Sequence, residues 1–160
     1  PGDPRRASEP LQPAANLELE VDELPGDELL DRLLGDSDLL YRLQVSGYAP
    51  EEWRRPSEEF GRYGYDVLVG WMFTGRIWHE MFVKTGRHVR RPSSPFDEDT
   101  IRQLCANTVV NGLEAFLENV LKKNKWDPQR GASLKTYFVG QCCFQFENGR
   151  VQGVIATPCS

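Results

Sequence analysis

Apolar side chains recur at helical spacing in several stretches of this chain, and these stretches predict an all-α protein. After Asp27 the leucines recur close to every third or fourth residue, and Gly35 interrupts them. Two short helices are therefore predicted, the second with Asp36 or Ser37 as its N-cap. A wider apolar stripe predicts a longer helix from Tyr65 to Val83, which is broad enough to be buried on more than one side.

Two further helices are predicted in the second half of the chain. Asp97 or Asp99 begins one that runs to Lys122, and Ser133 begins the last one. Gly112 lies inside the first of them, where a glycine weakens a helix by ~1 kcal/mol relative to alanine unless close packing compensates.

Prolines and glycines separate the predicted helices. Pro50 and Pro56 predict a surface loop over residues 45–62, and Gly86 predicts the end of the preceding helix. Pro92 predicts an extended linker, because the residue before a proline is disfavoured in the helical region.

The two parts of the chain differ in charge. Residues 1–60 contain fifteen acidic and six basic residues, a net charge of −9, whereas residues 61–160 contain nine acidic and thirteen basic residues, a net charge of +4. Several prolines and few large side chains near the start predict a disordered acidic arm. The predicted fold is a compact helical bundle with this arm over residues 1–26, short helices and a loop over 27–62, a main helical domain over 63–146 and an irregular tail over 147–160.

Several function classes find no support in the sequence. No apolar run approaches the ~20 residues of a membrane-spanning helix and no secretory signal opens the chain, so we expect a cytoplasmic protein that does not bind membranes. The four cysteines include no CxxC pair, which favours buried thiols over a disulfide framework or a zinc site. His79 and His88 have no metal-like spacing, and HExxH, GxSxG and phosphate-binding glycine motifs are absent. We therefore expect a protein that is not an enzyme and has no cofactor.

The segment from Lys125 to Phe138 contains a distinctive motif. It runs Lys-Trp-Asp-Pro-Gln-Arg-Gly-Ala-Ser-Leu-Lys-Thr-Tyr-Phe and resembles the aromatic-Asp-Pro-x-Arg-Gly-x-Ser pattern in region two of bacterial RNA polymerase sigma factors, especially those of the extracytoplasmic-function type. Asp-Pro favours a tight turn, glycine adopts conformations denied to other residues, and serine starts a helix. The predicted helices over 65–83, 99–122 and 133–146 follow the order of helices in that region.

The resemblance implies two partners, which are the RNA polymerase core and promoter DNA. The helix over residues 107–121 corresponds to the family's docking helix, which grips the coiled coil of the largest polymerase subunit. Its candidate contacts are Asn107, Asn111, Glu114 and Glu118. The motif and the last helix correspond to the elements that bind the single-stranded non-template strand of the opened promoter. Aromatic rings would stack on bases there and cations would bind phosphates. The candidate DNA contacts are Lys122, Lys123, Lys125, Trp126, Arg130, Lys135 and Tyr137.

A second interpretation stays open. Residues 140–146 are uncharged, and Thr108–Gly112 lacks the acidic and glutamine-rich sequence that is usual in the docking helix. We expect a divergent relative without the C-terminal helix-turn-helix domain. A non-catalytic protein-interaction or regulatory module could keep the same fold without binding a promoter. An exposed surface that is basic and aromatic on the last two helices favours DNA binding, and a neutral one favours the interaction module.

Overall fold

The helices of the protein occupy most of the part of the chain that the structure describes. The computed structural model describes residues 26–149, and the side chains of residues 26–146. No β-strand occurs in this part, so the all-α prediction is confirmed. The predicted disordered arm and most of the predicted tail lie outside the described residues. The α-helices are α1 (Gly26–Val45), α2 (Pro50–Thr74), α3 (Ile77–Thr85), α4 (Glu98–Phe116) and α5 (Leu134–Gly149). Within residues 26–149, no helix has the length and apolar character that a membrane crossing requires.

Helix α5 lies at the centre of the packing, in contact with α2, α3 and α4. Its Phe138 is fully buried, and the Phe138 ring lies 5.7 Å from Phe60 of α2 and 5.3 Å from Phe116 of α4. The rings of Phe60 and Phe116 are themselves 5.4 Å apart. Aromatic pairs at such distances contribute ~0.5–1.5 kcal/mol beyond the burial of their area. The three rings therefore join α2, α4 and α5 at one point.

Two glycines allow α5 to approach its neighbours closely. A Cβ atom at Gly64 of α2 would lie 2.7 Å from Cε2 of Phe138, and one at Gly112 of α4 would lie 2.7 Å from Sγ of Cys142. Non-bonded heavy atoms in a packed interior do not approach so closely, so a larger residue at either position would force Phe138 or Cys142 of α5 to shift. The close packing that would compensate for the low helix propensity of Gly112 is therefore present.

Helix α1 is continuous, and the predicted break at Gly35 is wrong. Leu33 and Leu40 are buried on either side of this glycine. A glycine in a helix interior costs ~1 kcal/mol, whereas burial of two leucine side chains contributes roughly 3 kcal/mol or more. Packing therefore carries the helix through the glycine.

The predicted loop over residues 45–62 is wrong from Pro50 onwards, because α2 begins there. Proline is favoured in the first turn of a helix, where its missing N–H would have no helical partner. Pro56 removes the N–H that would bond the carbonyl of Glu52, but Glu52 is exposed and water can bond its carbonyl. The predicted boundary between residues 62 and 63 accordingly falls inside α2.

Glycines also set the ends of α2 and α3. Gly75 has φ of 80°, in the left-handed region that glycine tolerates, and it divides the helix predicted from Tyr65 to Val83. Gly86, with φ of 74°, ends α3 as predicted. An extended linker follows, and α4 begins after it with the backbone N–H of Thr100 donating to Oδ1 of Asp97 at 2.7 Å. The N-cap predicted at Asp97 is confirmed.

The cysteines in the described part are buried free thiols, as predicted. They are Cys105, Cys142 and Cys143, and Cys159 lies outside the described residues. Burial raises the pKa of Cys105 and Cys143 to about 12 and raises that of Cys142 well above its usual value. These side chains are un-ionised at neutral pH and serve in packing.

The close approach of α4 and α5 predicts opposite effects for two glycine-to-alanine changes. Gly112→Ala should lower the free energy of unfolding by ~1–3 kcal/mol, because the new Cβ meets Cys142. Gly35→Ala should raise it by ~0.5–1 kcal/mol, since a Cβ at Gly35 has no neighbour within 4 Å and alanine favours the helix. Urea unfolding followed by circular dichroism measures both. Equal stabilisation by the two changes would show that the α4–α5 distance does not depend on Gly112.

Candidate nucleic-acid and protein interface

The motif between α4 and α5 forms a tight turn that the sequence predicted. The backbone N–H of Gln129 donates to Oδ1 of Asp127 at 2.9 Å, and Pro128–Arg130 forms one turn of 3-10 helix. Gly131 follows with φ of 87°, which favours glycine. The N–H of Thr136 then donates to Oγ of Ser133 at 3.1 Å, so the predicted N-cap of α5 is confirmed.

Trp126 is buried inside the turn, which corrects the prediction that its ring stacks on a base. The residue is only 5% exposed, and its Nε1 donates to the carbonyl oxygen of Ala132 at 2.8 Å. The ring therefore closes the turn from inside, and the hydrogen bond stabilises the buried indole N–H. A base could not stack on this ring without opening the turn.

The start of α5 is also held by a residue distant in sequence. The N–H of Leu134 donates to Oδ2 of Asp36 in α1 at 2.8 Å. A carboxylate is favourable at the N-terminus of a helix, where the dipole is positive and the N–H groups lack helical partners. Asp36 was a candidate cap for a nearby helix, and no local pattern could have identified a partner 98 positions away.

The end of α4 changes its hydrogen-bond spacing before the motif begins. Leu117–Leu121 is a π-helical turn, in which the N–H of Lys122 donates to the carbonyl of Leu117 at 3.0 Å. Asn124 then adopts φ of 53° and the helix ends. From the α1–α2 turn, the hydroxyl of Tyr48 donates to the carbonyl of Leu121 at 2.8 Å. Burial raises the pKa of Tyr48, so its hydroxyl remains a donor at neutral pH.

The predicted phosphate contacts divide into an exposed and a half-buried group. Lys122, Lys123, Lys125 and Arg130 are all exposed, and we call these four residues the basic connector. Within it, Lys122 Nζ lies 2.8 Å from Oε2 of Glu118. An exposed pair of this kind contributes little to stability and leaves the ammonium group accessible.

The other two candidates, Lys135 and Tyr137, are half-buried in α5. Lys135 Nζ lies 5.1 Å from the centroid of the Tyr63 ring, and the Tyr137 ring lies 6.3 Å from that of Phe116. Both side chains therefore take part in packing, with only part of each accessible.

The predicted docking residues lie in one row along α4 and the π-helical turn that follows it. Asn107, Asn111, Glu114 and Glu118 are all exposed, and their spacing of four, three and four residues places them in one row. We call this row the polar face. Val110, which was not among the predicted contacts, belongs to the same face and is 64% exposed. An apolar residue such as valine is expected in the core, and only the packing of α4 shows that this one is exposed.

Residues 26–146 contain no cluster of three or more His, Cys, Asp and Glu side chains that could hold a metal ion. His79 and His88 are exposed, and the His88 ring stacks on Phe82 with centroids 4.2 Å apart. The two histidines are therefore surface residues in this part of the chain.

Comparisons with known proteins identify no relative. No protein-family model matches the chain, and neither a curated protein nor a solved structure matches it.

The bond between Asp36 and α5 predicts a specific loss of stability. Asp36→Ala should lower the free energy of unfolding by ~1–2 kcal/mol and should speed amide exchange in the first turn of α5, because the N–H of Leu134 loses its acceptor. Asp38→Ala is the matched control, since Asp38 is exposed on the same helix and should change stability by less than ~0.5 kcal/mol. Hydrogen exchange read by mass spectrometry, with chemical denaturation, separates the two. Unaltered exchange at Leu134 in the first variant would show that this cap is dispensable.

Proposed function

We propose that this chain is a sigma-factor-like transcription initiation protein. In this proposal the polar face of α4 binds the coiled coil of the largest subunit of the RNA polymerase core, and the basic connector binds the single-stranded non-template strand of the promoter. The chain does no chemistry of its own in this role. Support comes from the motif over residues 125–138, from the order of the helices around it and from the exposure of both sets of residues.

The observation that most supports polymerase binding is the exposure of the polar face. Packing of α4 uses Leu104, Thr108 and Phe116, which are buried, and leaves Asn107 and Asn111 in solvent. Val110 supplies an apolar group among amides and carboxylates on this face. A protein interface commonly has this composition, with an apolar centre surrounded by polar side chains.

Binding of single-stranded DNA in this proposal is mainly electrostatic. The basic connector supplies four exposed cations within nine residues of chain, from Lys122 to Arg130. Cations that neutralise phosphates release counterions, so affinity falls steeply with salt. Trp126 is buried and Tyr137 is half-buried, so base stacking at the motif contributes less than the sequence suggested.

An interaction module without promoter binding is the second candidate function. One observation favours it, which is that the later part of α4 and the described side chains of α5 expose no cation. The exposed residues of α4 from position 106 onwards are neutral or acidic, and Phe144 is the exposed residue of α5 among its described side chains. A surface of this kind suits a protein partner better than a nucleic acid.

Polymerase binding can be tested by changing two residues of the polar face together. Asn111→Ala with Glu114→Ala should weaken retention of the chain on RNA polymerase core at least tenfold, because both side chains are exposed at the centre of the face. Binding to immobilised core enzyme, measured by surface plasmon resonance, gives the affinity.

The matched control for this test also removes one asparagine and one glutamate. Asn119→Ala with Glu58→Ala changes exposed residues outside the polar face and should leave affinity within about twofold. Equal affinity for all three proteins, or no binding by the unaltered chain, would reject polymerase docking through α4.

Single-strand binding should depend on the basic connector through its charge. Replacing all four residues of the connector by alanine should reduce the slope of log affinity against log salt concentration by up to about 3, since each contact with a single strand contributes ~0.7. Fluorescence anisotropy of a labelled single-stranded oligonucleotide, titrated at several salt concentrations, measures the slope.

A control of equal charge comes from α1 and α2. Replacing Arg42, Arg54, Arg55 and Arg62, which are all exposed, removes the same number of charges at another surface and should leave the slope nearly unchanged. A slope that responds equally to both sets would indicate attraction by net charge alone, and the interaction module would then be the better proposal.

A further inference from the structure

A second surface, separate from the motif, forms a cleft lined by aromatic side chains. A cleft of about 540 Å³ lies between the junction of α2 with α3 and the linker before α4. It is bounded by residues 72–75, Trp78, residues 91–96 and Ile101, and we call it the Trp78 cleft. Its volume lies within the ~300–1,000 Å³ range of small-ligand sites.

The lining of the Trp78 cleft combines flat aromatic rings with one cation. Phe73, Trp78 and Phe96 are half-buried at its wall, and the Trp78 ring also contacts Phe146 with centroids 6.3 Å apart. Arg91 is exposed, and its guanidinium carbon lies 5.9 Å from the centroid of the Trp78 ring. The residues that line the cleft include no carboxylate. An occupant with a flat apolar part and a negative charge would therefore find a complementary surface.

Two features favour a cleft that is formed before a ligand binds. Pro92 and Pro95 each fix one backbone dihedral angle of the linker. On the opposite side, Gly75 turns the chain sharply between two helices that the core holds in place. A preformed site avoids part of the ordering cost of binding.

We infer that the Trp78 cleft binds one base of single-stranded nucleic acid, with Arg91 contacting the adjacent phosphate. Aromatic side chains stack on any base, and an arginine beside the ring binds the backbone. Ser93 and Ser94, exposed at the rim, supply hydroxyls that can donate to base edges or phosphate. This inference rests on the single-strand part of the proposed function. It adds a contact from residues that precede the basic connector in the sequence.

The decisive variants differ by one position along the linker. Arg91→Gln should weaken binding of a short single-stranded DNA roughly tenfold, whereas Arg90→Gln removes the same charge from an exposed neighbour that does not line the cleft and should change binding less than twofold. Because both arginines are exposed, both variants should fold. Trp78→Leu should weaken binding roughly 5- to 100-fold, with circular dichroism used to verify its fold.

A probe that reports stacking distinguishes a base in the cleft from general attraction. A single strand that contains 2-aminopurine should lose fluorescence on binding to the unaltered chain and to Arg90→Gln, and should lose less with Trp78→Leu. A strand of abasic residues should bind the unaltered chain and Trp78→Leu with affinities within twofold, because no base enters the cleft.

The remaining outcomes separate this inference from the proposed function. If the alanine variant of the basic connector loses binding while Arg91→Gln and Trp78→Leu bind normally, the cleft is not a base site but the proposed function stands. Equal losses from Arg90→Gln and Arg91→Gln would also overturn the inference, since position would not matter. If an acidic phenylalanine-containing peptide binds in an Arg91-dependent manner and the oligonucleotide does not compete, the cleft takes a peptide. Absence of oligonucleotide binding by the unaltered chain would overturn both.

Discussion

The contact of α5 with two glycines is the constraint on which the rest of this structure depends. Gly64 and Gly112 leave no room for a Cβ atom, so α5 lies closer to α2 and α4 than ordinary side chains would permit. At that distance Phe138 reaches both Phe60 and Phe116. Because α5 fills the inner side of α4, the polar side chains of α4 are left on the outer side, where a partner can reach them.

Polar bonds from the first part of the chain fix both ends of the connection between α4 and α5. Asp36 bonds the first turn of α5, and Tyr48 bonds the carbonyl of Leu121 at the end of α4. The basic connector lies between these two bonds, so its position depends on residues more than seventy places away in sequence. The charge of the connector and the hydrogen bonds that position it are thus supplied by different parts of the chain.

The sequence predicted what is locally encoded. The Asp97 and Ser133 caps and the turn at Gly131 each follow from a few neighbouring positions. What it missed depends on partners distant along the chain. Burial of Leu33 and Leu40 overrides the break expected at Gly35, and Trp126 is buried because the turn folds over its ring. The Trp78 cleft could not be predicted, since its walls come from three separate segments.

The π-helical turn at Leu117–Leu121 has a consequence for how this region can vary. A turn with one extra residue rotates everything that follows by about 100° relative to a regular α-helix. The angle between the row headed by Asn107 and the lysines after Leu121 is therefore set by the number of residues between them, and their chemical identity matters less. Exchange of side chains here would preserve the relative orientation of the two surfaces, whereas loss or gain of a single residue would turn one surface away from the other.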